Sequence, residues 1–261
     1  MISIISMNKT NKSNKTKLYR CIAVLFALAL WQIVSMLVAN KLLLSSPISV
    51  IKRLSTLIFE SDFLMTVLYS LLRMSIGFLI AFVFGVIFAF VAGRFKFVEY
   101  LLWPFVITVK SVPVASFIIL FLIWMNFSVI TVLISFLISF PVIYNNVLQG
   151  INSTDSKLKE VAQLYKIPWN RRLIYMYIPS IKPFLLSACS VGVAMSWKAG
   201  IAAEVIGKIS GSIGGKLYES KLYLENADLC AWTILIIALS MVCEKLFNLL
   251  LRACFRRIEK I

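Results

Sequence analysis

Six apolar runs alternate with polar joints along the chain, at residues 18–39, 64–92, 98–125, 127–149, 181–206 and 229–251. A helix needs about 20 apolar residues to cross a hydrocarbon core, so each run predicts one membrane-spanning helix. The expected fold is all-α, an integral membrane protein of six transmembrane helices. Residues 18–255 form the membrane domain, 1–17 a basic amino-terminal tail and 256–261 a second short tail. The first run follows basic residues and has no small-residue cleavage site, so it reads as a retained span.

Small residues recur at every fourth position of the second run, at Gly77, Ala81, Gly85, Ala89 and Gly93. The fifth run repeats the spacing with Ala188, Gly192, Ser196 and Gly200, and Glu204 continues that row. Between helices in lipid, small side chains let two backbones approach and gain dispersion contacts. Both stripes therefore predict tight helix seams. Prolines fall within the third run at Pro104 and Pro113, within the fourth at Pro141, and at the start of the fifth at Pro183. Each removes a helix hydrogen bond and bends the axis, which fits either a bundle around a pathway or helices kinked for packing.

One joint is far longer than a helix reversal needs: INSTDSKLKEVAQLYKIPWNRRLIYMYIPSIK, residues 151–182. Ser153, Thr154 and Asp155 offer caps for a helix. Leu158, Val161, Ala162 and Tyr165 then follow at i, i+3, i+4 and i+7, an apolar face opposite Lys157, Lys159, Glu160, Gln163 and Lys166. Pro168 ends this helix, and a second, 169–178, leads to Pro179 and the next span. A surface helix, a turn and a strut entering the membrane could carry a push from a cytoplasmic partner. The competing reading is an amphipathic helix resting on lipid headgroups.

Composition narrows the functions. The chain is 61% hydrophobic, against about 45–50% apolar for soluble domains. Its net charge of +16 suggests either a nucleic-acid surface or the cytoplasmic excess of Lys and Arg that orients membrane proteins. With the amino terminus inside, 17 of the 27 basic residues lie in the cytoplasm, six lie outside, and Arg73, Lys110, Lys198 and Lys245 lie within spans. Orientation explains the basicity, so no nucleic-acid partner is expected and both termini are placed in the cytoplasm. Histidine is absent and the five cysteines form no CxxC pair. No catalytic residue, metal site or disulfide framework is expected.

Glu160, Val161 and Ala162, then Lys166, then Met176, Tyr177, Ile178 and Pro179, resemble the loop of ATP-binding-cassette importer permeases. That loop reads Glu-Ala-Ala, three residues, Gly, nine residues, Ile-x-Leu-Pro. Glu160 to Pro179 fits it without a gap, and Glu160, Ala162 and Pro179 are identities. Lys166 occupies the glycine position, so if the glycine supplies a left-handed turn, the sequence leaves the bend open. SWKAGIAAEVIG (Ser196 to Gly207) resembles the Trp-Lys and Ala-Ala-Glu signature of the taurine, alkanesulfonate and nitrate importer branch. SLLRMSIGF (Ser70 to Phe78) and KSVPVASFIILFLIW (Lys110 to Trp124) resemble corresponding stretches there.

The resemblance implies a six-span type I importer permease in the cell membrane. It would pair with a second copy, two cytoplasmic ATPase subunits and an external solute-binding protein. Glu160, Val161, Ala162, Tyr165, Lys166 and Pro179 would couple it to the ATPase. No GxxxxGK[ST] loop occurs in the chain, so the partner would handle ATP and Mg, with no cofactor bound here and no enzyme activity of its own. An ion-gradient-driven secondary transporter is the alternative.

An ionisable side chain within a span is costly and by default meets a cavity or a partner. Lys198 lies about 200° around the helix from Ser196 and is expected to face the pathway or a carboxylate such as Glu204 or Glu244. Lys110, beside the Pro113 break, is a second candidate. Such lysines would favour a small anion such as a sulfonate or nitrate. Trp197 reads either as a stacking group or as an anchor. The glycine-rich joint after the fifth run, with Gly207, Gly211, Gly214 and Gly215, reads either as an outer gate or docking surface, or as an ordinary loop.

Overall fold

The computed structural model describes residues 19, 22–38 and 44–258, and among them every regular element is a helix. In chain order these are α1 (Ile22–Val38), α2 (Pro47–Leu57), α3 (Phe63–Arg94), α4 (Lys96–Ser111), α5 (Val114–Trp124) and α6 (Phe127–Asn152). There follow α7 (Ser156–Leu164), α8 (Trp169–Arg172), a π turn (Leu173–Tyr177), α9 (Ile178–Ile206), α10 (Ile213–Leu222) and α11 (Asn226–Ile258). The tail 1–17, residues 18, 20, 21 and 39 of the first apolar run, and 259–261 lie outside the described residues.

Four stretches are long and apolar enough to cross a membrane: Phe63–Arg94, Val129–Asn152, Trp169–Ile206 and Asn226–Arg257. The third predicted span is not one rod. α4 and α5 meet at 104° and make a fifth crossing only if taken together. The break falls at Pro113, which has no N–H to donate and holds Val112 extended (φ −81°, ψ 133°). Pro104 and Pro141, by contrast, sit inside α4 and α6 without ending them. Near each, a polar side chain binds the proline's carbonyl: Thr108 Oγ1 donates to Pro104 at 2.8 Å and Asn145 Nδ2 to Pro141 at 2.6 Å.

The chain divides into two units. The described residues up to Glu60, with 219–232, form the first, where Ser46 caps α2 by accepting from the Ser49 N–H at 3.3 Å and Pro47 opens the helix. Arg53 donates from both Nε and Nη2 to Asp228, the second bond at 2.7 Å, and Nη2 also reaches Glu60 at 2.8 Å. The hydrogen bond to Asp228 pushes the Arg53 guanidinium above its ordinary pKa.

Residues 61–218 and 233–258 form the second unit, built on α3, α6 and α9. A Cβ on Gly77 would lie 2.7 Å from Ser135 Cβ, on Gly85 2.9 Å from Ile143 Cγ2, and on Gly93 2.9 Å from Ile151 Cγ2. The constant register means that α3 and α6 run parallel. The segment between them must therefore carry the chain back along the bundle, which is the work of α4 and α5. Ser135 Oγ donates to the Ser196 carbonyl (3.2 Å), Ser139 Oγ to that of Gly192 (3.0 Å) and Ser196 Oγ to that of Met74 (3.1 Å), so α9 runs antiparallel to both. In a setting without water these hydroxyls find backbone partners, while the glycines bring the helices within reach. α5 packs Ile118 against Ile130 and Ile134 of α6 and Ala199 and Ala203 of α9. On the other side Phe78 meets Phe247 of α11 edge-on at 4.8 Å.

Candidate functional site

Three regions carry the predicted coupling and pathway residues: the α7–α8 corner, the far half of α9 and the α4–α5 break. At the corner, Asp155 caps α7 by accepting from the Lys157 N–H at 2.9 Å. α7 stops in a left-handed cap: the Ile167 N–H donates to the Ala162 carbonyl (3.0 Å) and the Lys166 N–H to that of Gln163 (3.1 Å). Lys166 supplies the turn itself, at φ +50°. The residue at the motif's glycine position thus adopts the conformation a glycine would favour, at a cost of roughly 1–2 kcal/mol.

Arg172, which sequence reasoning counted only as a charge, locks the corner. Its Nη2 donates to the Ala162 carbonyl at 2.8 Å and its Nε to that of Ile167 at 2.7 Å. Ala162 is buried, whereas Glu160, Val161, Tyr165 and Lys166 are exposed. Leu158, Val161, Leu164 and Tyr165 together present an uncovered apolar face, with Leu164 79% and Tyr165 75% exposed. A concavity of about 390 Å³, lined by Tyr165, Ile167, Pro168, Arg171, Arg172 and Tyr175, lies beside it.

The strut is continuous with the membrane helix. From Trp169 to Ile206 the chain is helical throughout, passing a π turn at Leu173–Tyr177 and an exposed Pro179 without a break. The Ile178 N–H donates to the Leu173 carbonyl, one residue beyond the α step. Trp169 pins the base: its ring lies 5.6 Å from Tyr177 and 5.7 Å from the Arg94 guanidinium at the end of α3.

In the far half of α9 the predicted pathway residues separate. Lys198 is exposed, in one row with the exposed Val191 and Met195. Lys110 and Pro113 are exposed at the α4–α5 break. Trp197 and Glu204 do not share that open face. Trp197 is 2% exposed and lines an apolar cavity of about 330 Å³ with Met74, Phe78 and Phe247. Glu204 has no exposed surface and accepts from Ser70 Oγ at 2.8 Å and from the Gly214 N–H at 3.0 Å. It lies on the buried row of Ala188, Gly192, Ser196 and Gly200. Arg73, counted among the basic residues within spans, and Ser70, at the head of SLLRMSIGF, are not among the predicted site residues, although the cost of an arginine within a span is the signal that points to them. The joint after α9 is a built structure: Ser212 accepts from the Gly215 N–H at 2.9 Å, and a Cβ on Gly214 would clash with Glu204 Cβ.

The described residues thus form a multi-pass helical bundle with a polar corner, an uncovered apolar face on that corner and a helix running on from it along the bundle. A family model of binding-protein-dependent transport system inner membrane components matches residues 81–260, and the chain belongs to that family, the permeases of ATP-binding-cassette importers. SsuC of Bacillus subtilis, a permease named for aliphatic sulfonates, is 25% identical over 86% of this chain and 82% of its own length. The nitrate import permease protein NrtB of Synechococcus elongatus is 26% identical over 74% of this chain and 72% of its own. The taurine transport system permease protein TauC of Escherichia coli is 24% identical over 87% and 83%. The crystal structure of an amino acid ABC transporter with histidines matches 78% of this chain and 97% of that one, with a TM-score of 0.58 and 18% identity. That likeness is one of fold.

Proposed function

We propose that this permease carries a small anion of the sulfonate or nitrate type and is driven through α7 by a separate ATPase. The carrying observation is the corner itself, where an uncovered apolar face is held by Arg172 and the Lys166 turn at a fixed angle to a helix continuous to Ile206. Exposed Leu158, Val161, Leu164 and Tyr165 supply a face for a protein groove, and Glu160 beside them supplies the charge that sets register. Closure of two ATPases would draw two such corners together and rock the α9 rods, the rigid-body logic of alternating access.

The working assembly in this reading is two permease copies, two ATPases that use ATP and Mg, and an external binding protein. Each copy has six spans, with α1 as the first, α4 and α5 as the broken third, and both termini in the cytoplasm. Lys198, open on α9, and Lys110 at the break give the pathway a positive field. The names of SsuC and NrtB support an anion and that of TauC a sulfonate group, and the family match does not favour the ion-gradient alternative.

The test is Glu160→Arg in the reconstituted complex. The permease stays in the membrane and in its normal fold, while ATP hydrolysis stimulated by loaded binding protein is lost. Full stimulation in that variant would overturn the coupling assignment.

A further inference from the structure

The far end of α9 holds a polar cluster that the coupling reading does not use. Ser70 Oγ donates to Glu204 Oε2 and accepts from the Ile213 N–H at 2.9 Å, and the Gly214 N–H donates to the same Oε2. Ser212 stands beside the carboxylate. A hydroxyl from α3 and a carboxylate from α9 thus take the first two amides of α10, while Ser212, immediately before the helix, takes the third from Gly215.

Half of that carboxylate is idle. Glu204 Oε1 is buried with no hydrogen-bond partner among the described residues, and so is Nη1 of Arg73, one turn from Ser70 on α3. The Arg73 guanidinium lies 3.7 Å from the centre of the Tyr69 ring on its own helix. It is close enough to Glu204 to interact electrostatically, yet no salt bridge joins them. The guanidinium and the carboxyl stand on adjacent helices, each with a buried hydrogen-bonding atom left unused, and pairing after a small movement would satisfy both atoms. α3 and α9 are elements that such a movement would displace.

We propose that Glu204 is a two-position latch. In the arrangement described here it holds the first turn of α10 through Oε2. In the other access state Arg73 leaves Tyr69 and takes both Oε1 and Oε2 in a two-pronged pair, which displaces the Ser70 hydroxyl and the Gly214 N–H from Oε2 and, with Ser70 freed, loosens its hold on the Ile213 N–H. The α10 amides favour one state and Arg73 the other, which is the differential interaction a two-state element requires. Glu204 and Arg73 are positioning residues, and this role rests on the ATP-driven reading above. Because Glu204 sits on the helix that carries the α7–α8 corner at its other end, the latch would report the motor's state across the membrane.

Amide hydrogen exchange over residues 207–218 in the reconstituted full transporter tests this, compared without nucleotide and in an ATP-trapped state. In the wild type the rates differ by about tenfold or more. Arg73→Gln removes the difference, keeps the slower rate in both states and blocks uptake, while Arg73→Lys retains it. Tyr69→Leu, at a partly exposed position, takes away the resting place of the guanidinium and speeds exchange in the slow state. A wild-type-sized difference in Arg73→Gln overturns the latch. So does unchanging exchange in a wild type that imports solute with ATP, and the importer reading survives that result. A wild type that hydrolyses no ATP in response to binding protein removes the importer reading, and the latch with it.

Discussion

Arg172 donates to the carbonyl of Ala162 across 2.8 Å, and that same carbonyl accepts the Ile167 N–H that closes α7. One oxygen therefore joins the end of α7 to the start of the membrane-entering rod. Charge-assisted bonds of this kind contribute about 1.5–3 kcal/mol each, reduced here by partial exposure.

Replacing Arg172 with Met should leave the α3–α6–α9 bundle intact, because none of its contacts involve the guanidinium. Proteolysis between α7 and α8 should become faster, and binding-protein-stimulated ATP hydrolysis should fall while unstimulated hydrolysis is unchanged. Equal cleavage rates for variant and wild type would show that the corner does not depend on this clamp.

Lys166 carries a left-handed conformation on a side chain that disfavours it. Lys166→Gly should stabilise the corner by about 1 kcal/mol, and Lys166→Val should destabilise it by more, since a branched Cβ crowds that region further. Limited proteolysis of the α7–α8 segment in detergent should rank the three chains Gly, Lys, Val from slowest to fastest cleavage.

The glycine seams should grade by what each missing Cβ would meet. On Gly77 it lies 2.5 Å from the Val132 carbonyl oxygen, and on Gly200 2.7 Å from Met74 Cγ. Backbone cannot step aside as a methionine can, so Gly77→Ala should cost about 1–3 kcal/mol and Gly200→Ala less. Melting of the purified protein in detergent should show the larger drop for Gly77→Ala, and a reversed order would contradict the packing account.

Lys198 stands exposed on α9 beside Val191 and Met195. Lys198→Met should lower anion uptake by about tenfold or more, with Lys198→Arg close to wild type, if the charge itself attracts the solute. Uptake in whole cells at matched expression measures this. Unchanged uptake in the methionine variant would remove the lysine from the pathway.

Much of this organisation was legible because periodicity is written directly into sequence. The four-residue spacing of Gly77, Ala81, Gly85 and Ala89 marks a buried row, and Asp155 before a helical face marks a cap. Other features depend on three-dimensional context. Nothing local distinguishes Pro113, which breaks its helix, from Pro104 and Pro141, which do not. Glu204 continues a row whose spacing already marks a seam, but one of its partners, Ser70, is 134 positions away, so what holds the carboxyl cannot be read from its own segment. The left-handed Lys166 is imposed by the Schellman bonds and the Arg172 clamp, against its own preference.

In the coupling reading a motor subunit grips α7. A photoreactive amino acid at Val161, exposed on the apolar face of α7, tests it in membranes containing the complete transporter. A covalent adduct with the ATPase subunit should form and should disappear in Glu160→Arg. Adducts formed only with lipid or with the permease itself, in membranes that import solute with ATP, would contradict that reading.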